Sequence, residues 1–227
     1  MDEPQSVQEI AGPGRLASPV NGAHPPRFLA MRGIKAPTST TSERENMSAV
    51  AILAADGFET IECLTIVDVL RRGGVRVTLV SIMPTRDVIS AQQISVSCDC
   101  TFDEVDFSEY DYVVLPGGMP GTTNLQNDGR VCDVVREFAA TKHVAAICAA
   151  PSILAHLGLL EGRRATCFPG FELDFPEGAY AGSKTVVVDG NIITASAMGQ
   201  ALPFALVVLE DIAGEVAVSK VREGIQL

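Results

Sequence analysis

The stretch Ala145-Ala146-Ile147-Cys148-Ala149-Ala150-Pro151 decides how this chain reads. The run Val144–Ile147 has the composition of a buried strand. It ends on a cysteine followed at once by small residues and a proline. Pro151 suits a first helical turn, where its missing N–H would lack a partner anyway. Small neighbours let the backbone turn tightly there. A side chain at such a strand-to-helix turn projects into a cleft, as in a nucleophile elbow. The helix N-terminus is expected to lower the pKa of the Cys148 thiol and raise its thiolate fraction. The plainer alternative, a cysteine buried at the end of a core strand, stands beside this reading on the pattern alone.

Working outward, short apolar runs alternate with amphipathic stretches. Upstream, Ala49–Ala54 reads as a buried strand and Glu59–Arg72 as a helix closed by Gly73-Gly74. Arg76–Ser81 is a second strand, and Ile94–Val96 a short one within an irregular stretch. Asp111–Leu115 is a strand ending at Pro116-Gly117-Gly118. After it, Val131, Val134, Val135 and Phe138 mark one helix face. Beyond Cys148 a helix runs from about Ala149 to Leu157. Thr185–Val188 and Ile192–Thr194 flank Asp189-Gly190, a hairpin signal. A helix from about Gln200 to Ile212 and a short one after Gly214 close the chain. Strands alternating with helices predict an α/β fold, with a mostly parallel sheet covered on both faces. Such sheets bind ligands beyond the carboxyl ends of their strands.

Two further segments lie at such ends. In Leu115-Pro116-Gly117-Gly118-Met119-Pro120-Gly121, a glycine turn can bring backbone N–H groups close to a ligand. With the amide of Ala149 it could form an oxyanion hole. An ordinary loop is the plainer reading of that turn by itself, and no Gly-Lys-Ser/Thr follows that would make it a phosphate loop. In Asp56-Gly57-Phe58-Glu59-Thr60-Ile61-Glu62, acids open a helix, usually as complements to its dipole. An apolar stretch follows Glu62, so one carboxyl could instead point inward, with a raised pKa. The three histidines, His24, His143 and His156, are not placed for a Cys-His dyad, which disfavours a triad or papain-like protease.

The 227 residues are 47% hydrophobic but only 5% aromatic, which suits one Ala/Val/Ile/Leu-rich domain. A net charge of -11 without a basic stripe argues against nucleic acid and anionic membranes as partners. No transmembrane-length apolar run or signal peptide is evident. The six cysteines match no zinc spacing, so no metal is expected and a reducing compartment, the cytoplasm, is. Residues 1–46 hold six of the thirteen prolines and no sustained period, and read as a disordered N-terminal extension. Met47 opens the globular pattern of residues 47–227 and is a candidate start.

These segments resemble the DJ-one/ThiJ/PfpI family over roughly residues 48 to 223. The matches are AILAADGFETIECLTIVDVLRRGG (Ala51 to Gly74), VVLPGGMPG (Val113 to Gly121), AAICAAP (Ala145 to Pro151) and TCFPGFE (Thr166 to Glu172). The elbow is similar to that of the bacterial ThiJ-like branch. The resemblance implies a flavodoxin-like three-layer sandwich, related to class I glutamine amidotransferases, and a homodimer. It implies Cys148 as nucleophile, Glu62 as its protonated carboxyl partner, and an oxyanion site at the amides of Gly118 and Ala149. The implied activities need no cofactor: conversion of methylglyoxal to lactate, or deglycation of glycated amino acids and proteins. A redox-regulated stress or chaperone role through oxidation of Cys148 is the alternative. Three departures matter. Ala149 stands where the protease branch has His, which argues against peptidase activity. Phe168 stands where some members have His, which implies slower glyoxalase turnover. Ser196 opens a run in which the family often has an anion-binding Arg.

Overall fold

The computed structural model describes residues 48–183 and 186–227. The expected N-terminal extension, and Thr185 of the expected hairpin, lie outside them. Among the described residues the elements are β1 (Ala49–Ala54), α1 (Thr60–Arg72), β2 (Arg76–Ser81), β3 (Asp87–Ile89), β4 (Ser95–Ser97) and β5 (Cys100–Thr101). There follow β6 (Tyr112–Leu115), α2 (Gly121–Asn127), α3 (Gly129–Thr141), β7 (His143–Ile147), α4 (Pro151–His156), β8 (Val186–Asp189), β9 (Ile192–Ala195) and α5 (Ala201–Gly224).

The main sheet has seven strands in the order β5-β2-β1-β6-β7-β9-β8. All neighbours are parallel except β8 and β9, which form the hairpin expected around Asp189-Gly190. Side chains of successive strand residues point to opposite faces, and β1 shows the consequence. Val50, Ile52 and Ala54 enter one core with α1 and α5, while Ala49, Ala51 and Leu53 enter the other with α2, α3 and α4. This is a three-layer, flavodoxin-like α/β sandwich. Every β1 residue is buried on both faces, which is why its sequence is an unbroken apolar run.

Amphipathic patterns place the helices. On α1, Cys63, Ile66, Val67 and Leu70 are buried, and Glu59 caps the start by accepting from the Glu62 amide. On α3, Val131, Val135 and Phe138 are fully buried, whereas Val134 is only partly covered. The break expected at Gly214 is present. Its φ of +77° interrupts the last helix, a conformation glycine tolerates readily.

The stretch expected to hold one short strand holds a two-stranded antiparallel hairpin, β3 with β4. Its strands have three residues each and mostly exposed side chains, too few alternations for a sequence period to register. The hairpin is tied to the start of α1: Ile89 N–H donates to Asp56 at 2.8 Å, and Ala91 N–H to the Phe58 carbonyl at 2.9 Å.

The chain leaves β1 toward β2 on one side, and β6 occupies the other. The strand order therefore reverses beside β1, and sheets of this kind bind ligands beyond the carboxyl ends of the strands at such a point, here β1, β6 and β7.

Candidate active site

Cys148 follows β7 directly. Its φ is +64°, a left-handed conformation costly for a residue with a Cβ. Two backbone bonds hold it there. Its N–H donates to the Ala195 carbonyl at 2.9 Å, and its carbonyl accepts from the Phe168 N–H at 2.7 Å. Behind it, the buried Ser152 hydroxyl donates to the Ala149 carbonyl at 2.8 Å and tightens the turn into α4. Cys148 is half-buried. The amides of Ala149 and Gly118 lie within hydrogen-bonding reach of its sulfur.

Glu62 is the third residue of α1 and has no exposed surface. Glu59 takes up the capping duty, so Glu62 is free to turn inward. Its Oε2 accepts from the Gly117 amide at 2.9 Å, while among the described residues Oε1 has no hydrogen-bond partner. A buried carboxyl oxygen with no donor is costly, and here it belongs to a carboxyl coupled to the Cys148 thiol.

The glycine turn after β6 closes the site by close approach. A Cβ on Gly117 would sit 2.6 Å from Cys148 Cβ and 2.7 Å from Glu62 Oε2. Gly118 has a φ of +95°, and a Cβ there would lie 2.3 Å from the Glu59 nitrogen. Further bonds join this turn to the loop after β1: Glu59 N–H to the Gly117 carbonyl at 2.8 Å, and Gly121 N–H to the Gly57 carbonyl at 3.2 Å. Carboxyl, thiol and two amides thus come from the first turn of α1, the elbow after β7 and the glycine turn after β6.

The model of the DJ-1/PfpI family matches residues 48–211. The chain belongs to the DJ-1/PfpI family. It is 36% identical over 180 residues to protein dj-1beta of Drosophila melanogaster, spanning 78% of this chain and 96% of that one. A protein of Pyrococcus abyssi named as a deglycase is 36% identical over 152 residues, 66% of this chain and 90% of its own. The structure of oxidised Toxoplasma gondii DJ-1 superposes with a TM-score of 0.75 at 30% identity, over 79% of this chain and 98% of that one.

In this DJ-1/PfpI chain the four site residues expected from sequence, Cys148, Glu62, Gly118 and Ala149, come together. The electrostatics differ from the sequence expectation at one of them. The Cys148 thiol is pushed up to about 12, not lowered. Burial is the main cause and the Glu62 carboxylate adds to it, while the Ala149 and Gly118 amides pull the other way. The helix behind it, α4, has only six residues, too few for its dipole to overcome burial. Glu62 is raised to about 7, chiefly by burial, then by the Glu59 carboxylate, against the opposing bonds to Cys148 and Gly117.

The two groups share one site, so they titrate as a pair. The first proton leaves near pH 7, and the charge left behind holds the second proton tightly.

Burial also raises the thiols of Cys98 and Cys167 to about 12, and it raises Cys63 further. All three thiols are buried, and Cys63 and Cys98 pack in the core beside α1 and α5. Two groups were not singled out in the sequence. Gly117 is one, although the double glycine after a strand was its signal. The other is a cluster at the opposite end of the sheet, where the Tyr112 hydroxyl donates to Asp211 and the His143 ring stacks on Tyr112 at 4.4 Å. His143 is therefore at the far end of β7 from Cys148, and His156 is exposed on α4. Neither serves the thiol. Among the described residues no cluster of His, Cys, Asp and Glu could hold a metal ion, and no helix is long and apolar enough to cross a membrane.

Proposed function

We propose that the protein is a cofactor-free, cysteine-dependent enzyme acting on reactive carbonyls or early glycation adducts, as a glyoxalase-type or deglycase-type catalyst. The observation that carries this reading is the Glu62 carboxyl. It is fully buried, anchored through one oxygen, without a hydrogen-bond partner at the other among the described residues, and coupled to a thiol on a strained turn. A packing residue gains nothing from that arrangement, whereas a proton carrier requires it. The deglycase of Pyrococcus abyssi supports the same direction.

The chemistry runs as follows. Glu62 carboxylate takes the Cys148 thiol proton, and the thiolate adds to the aldehyde carbon of an α-oxoaldehyde. The Gly118 and Ala149 amides, already near the sulfur, stabilise the oxyanion that forms. Glu62 returns its proton to that oxygen, giving a hemithioacetal. It then removes the proton on the former aldehyde carbon and delivers one to the neighbouring carbon, leaving a thioester of a 2-hydroxy acid. Water hydrolyses the thioester and restores the thiol, so methylglyoxal plus water becomes lactate. With a glycated amine as substrate, the same residues would release the amine by hydrolysis of its C–N bond. The substrates are then small carbonyls or glycated amino acids and proteins. A homodimer and a cytoplasmic setting complete the reading.

Methylglyoxal loss with lactate formation, in amine-free buffer, tests it. Cys148→Ser is expected to abolish lactate formation while leaving the fold intact, because serine keeps the size but is a far weaker nucleophile at its own pKa. Equal turnover in both proteins would sink the idea.

The pH profile is a second check. The reactive pair has lost one proton, so kcat/KM is expected to rise with pH through about 7 and then level off. A profile flat from about pH 5 to 9 would contradict the proton-sharing pair.

The solved oxidised relative favours a second reading, a redox sensor in which peroxide oxidises Cys148 and Glu62 stabilises the product. Mass spectrometry after mild peroxide separates it. Two oxygen atoms added at Cys148, and fewer in Glu62→Leu, are its signature.

A further inference from the structure

The segment Asp56 to Glu59 leads from β1 into α1, and so places the Glu62 carboxyl. Its later end is tied to the site. Glu59 N–H donates to the Gly117 carbonyl at 2.8 Å, and the Glu59 side chain accepts from the Glu62 amide at 2.6 Å. Its earlier end is held by two elements that carry none of the reacting groups. Asp56 Oδ1 accepts from the Ile89 N–H of β3 at 2.8 Å. The Asp56 carbonyl accepts from the Asn124 side-chain amide of α2, also at 2.8 Å. One residue thus fastens the approach to Glu62 both to the β3–β4 hairpin and to the helix that follows the glycine turn.

Neighbouring bonds repeat the pattern. Gly57 N–H donates to the Ile89 carbonyl at 2.7 Å, and the Thr60 hydroxyl donates to the Gln92 side chain at 2.8 Å. Gly57 is pressed against the glycine turn, where a Cβ on it would lie 2.3 Å from Pro120 Cδ. The hairpin forms a two-stranded sheet of its own, with mostly exposed side chains. Such hairpins are marginal without support from neighbours, and the Asp56 side chain supplies one support. Its charge is not what the site uses. The titratable groups that bear on Glu62 are Cys148 on the elbow and Glu59 on the same segment, and Glu62 in turn raises Cys63 on α1. Asp56 contributes an acceptor at a fixed place.

We propose that Asp56 is a positioning residue for the proposed reaction: by fastening the β3–β4 hairpin and α2 to the start of α1, it sets the alignment of the Glu62 carboxyl with the Cys148 thiol. This rests on the proton-sharing pair of the reading above and not on which carbonyl compound is the substrate. Without the Asp56 acceptor the Ile89 N–H turns to water, the hairpin loosens from the loop, and the first turn of α1 gains freedom. Water then reaches a carboxyl that the fold otherwise keeps dry. Groups that act from outside a site in this way matter because small displacements of reacting atoms are costly.

The test is the pH dependence of Cys148 alkylation by iodoacetamide in the full chain, read at the Cys148 peptide by mass spectrometry. The thiolate is the species that reacts, so the wild-type rate is expected to step up near pH 7, where the pair loses its first proton. Burial is the largest cause of the raised Glu62 value. Asp56→Ala is therefore expected to move the step down by about one pH unit or more, toward an ordinary carboxyl. Asp56→Asn keeps the acceptor and drops the charge, and is expected to restore the wild-type step. Urea unfolding shows which variants are folded. If Asp56→Ala does not fold, Asn124→Ala removes the other bond to the same residue and is expected to give the same downward shift. An unmoved step in the folded variant, or an equal shift in Asp56→Asn, overturns this inference alone. A wild-type rate with no step near pH 7 overturns the proton-sharing pair and this inference with it.

Discussion

Gly117→Ala is expected to fold and to lose turnover by about a hundredfold or more, the scale expected when reacting groups are displaced by about an ångström. The added methyl group would sit 2.6 Å from Cys148 Cβ, 2.7 Å from Glu62 Oε2 and 3.0 Å from the Ile147 carbonyl oxygen. Two of these, the Cys148 Cβ and the Ile147 carbonyl oxygen, cannot move aside as the end of a flexible side chain can. Cys148 Cβ is fixed by the strained backbone of the elbow and its two hydrogen bonds, and Ile147 belongs to a buried strand. The carboxyl of Glu62 is the group that can yield. As it retreats it loses the 2.9 Å bond from the Gly117 amide and its alignment with the thiol. The stability cost is about 1–3 kcal/mol, the range for overpacking a filled interior. Lactate formation from methylglyoxal measures the first effect and urea unfolding the second. Full activity in a folded Gly117→Ala protein would show that the distance between carboxyl and thiol is not critical.

Glu62→Gln is expected to lower turnover by about two to four orders of magnitude, the range for losing a general acid–base group. It is also expected to change how stability depends on pH. In the unfolded chain this carboxyl titrates near 4.5, and in the folded protein near 7. Between those values the folded state keeps a proton that the unfolded state has released. Stability therefore falls as pH rises through that window. A difference of this size corresponds to about 3 kcal/mol lost between about pH 4 and pH 8. Glutamine has no such ionisation, so the wild type should lose that much relative to the variant over the same span. Urea unfolding of both proteins at several pH values reads it directly. Parallel curves would mean that Glu62 is not held protonated by burial. The wild-type residue is thus a stability cost that the fold carries for its chemistry.

How far the sequence carried the reading differs by level. The alternation of buried strands with amphipathic helices was legible because unbroken apolar runs mark the strands covered on both faces and a helical period marks the segments between them. The elbow was legible because cysteine, small residues and proline each have a local reason to stand at a strand-to-helix turn. The β3–β4 hairpin was legible only in part, since its outward side chains break the alternation that marks a strand.

Other features were decided by tertiary structure. Glu59 and Glu62 look alike in the sequence, each an acid near a helix start. Only packing against the glycine turn shows that Glu59 caps while Glu62 is sealed inside. The bond from Gly117 to Glu62 spans 55 residues, and no local pattern encodes a contact of that range. The thiol is the sharpest case. The helix end by itself would lower the pKa of Cys148. The fold raises it, because desolvation and a neighbouring carboxylate, both products of long-range packing, outweigh a six-residue helix. The sequence by itself determined the α/β layers, the elbow and the candidate residues. Only the tertiary structure decided how thiol and carboxyl share a proton, because that depends on which distant surfaces exclude water from them.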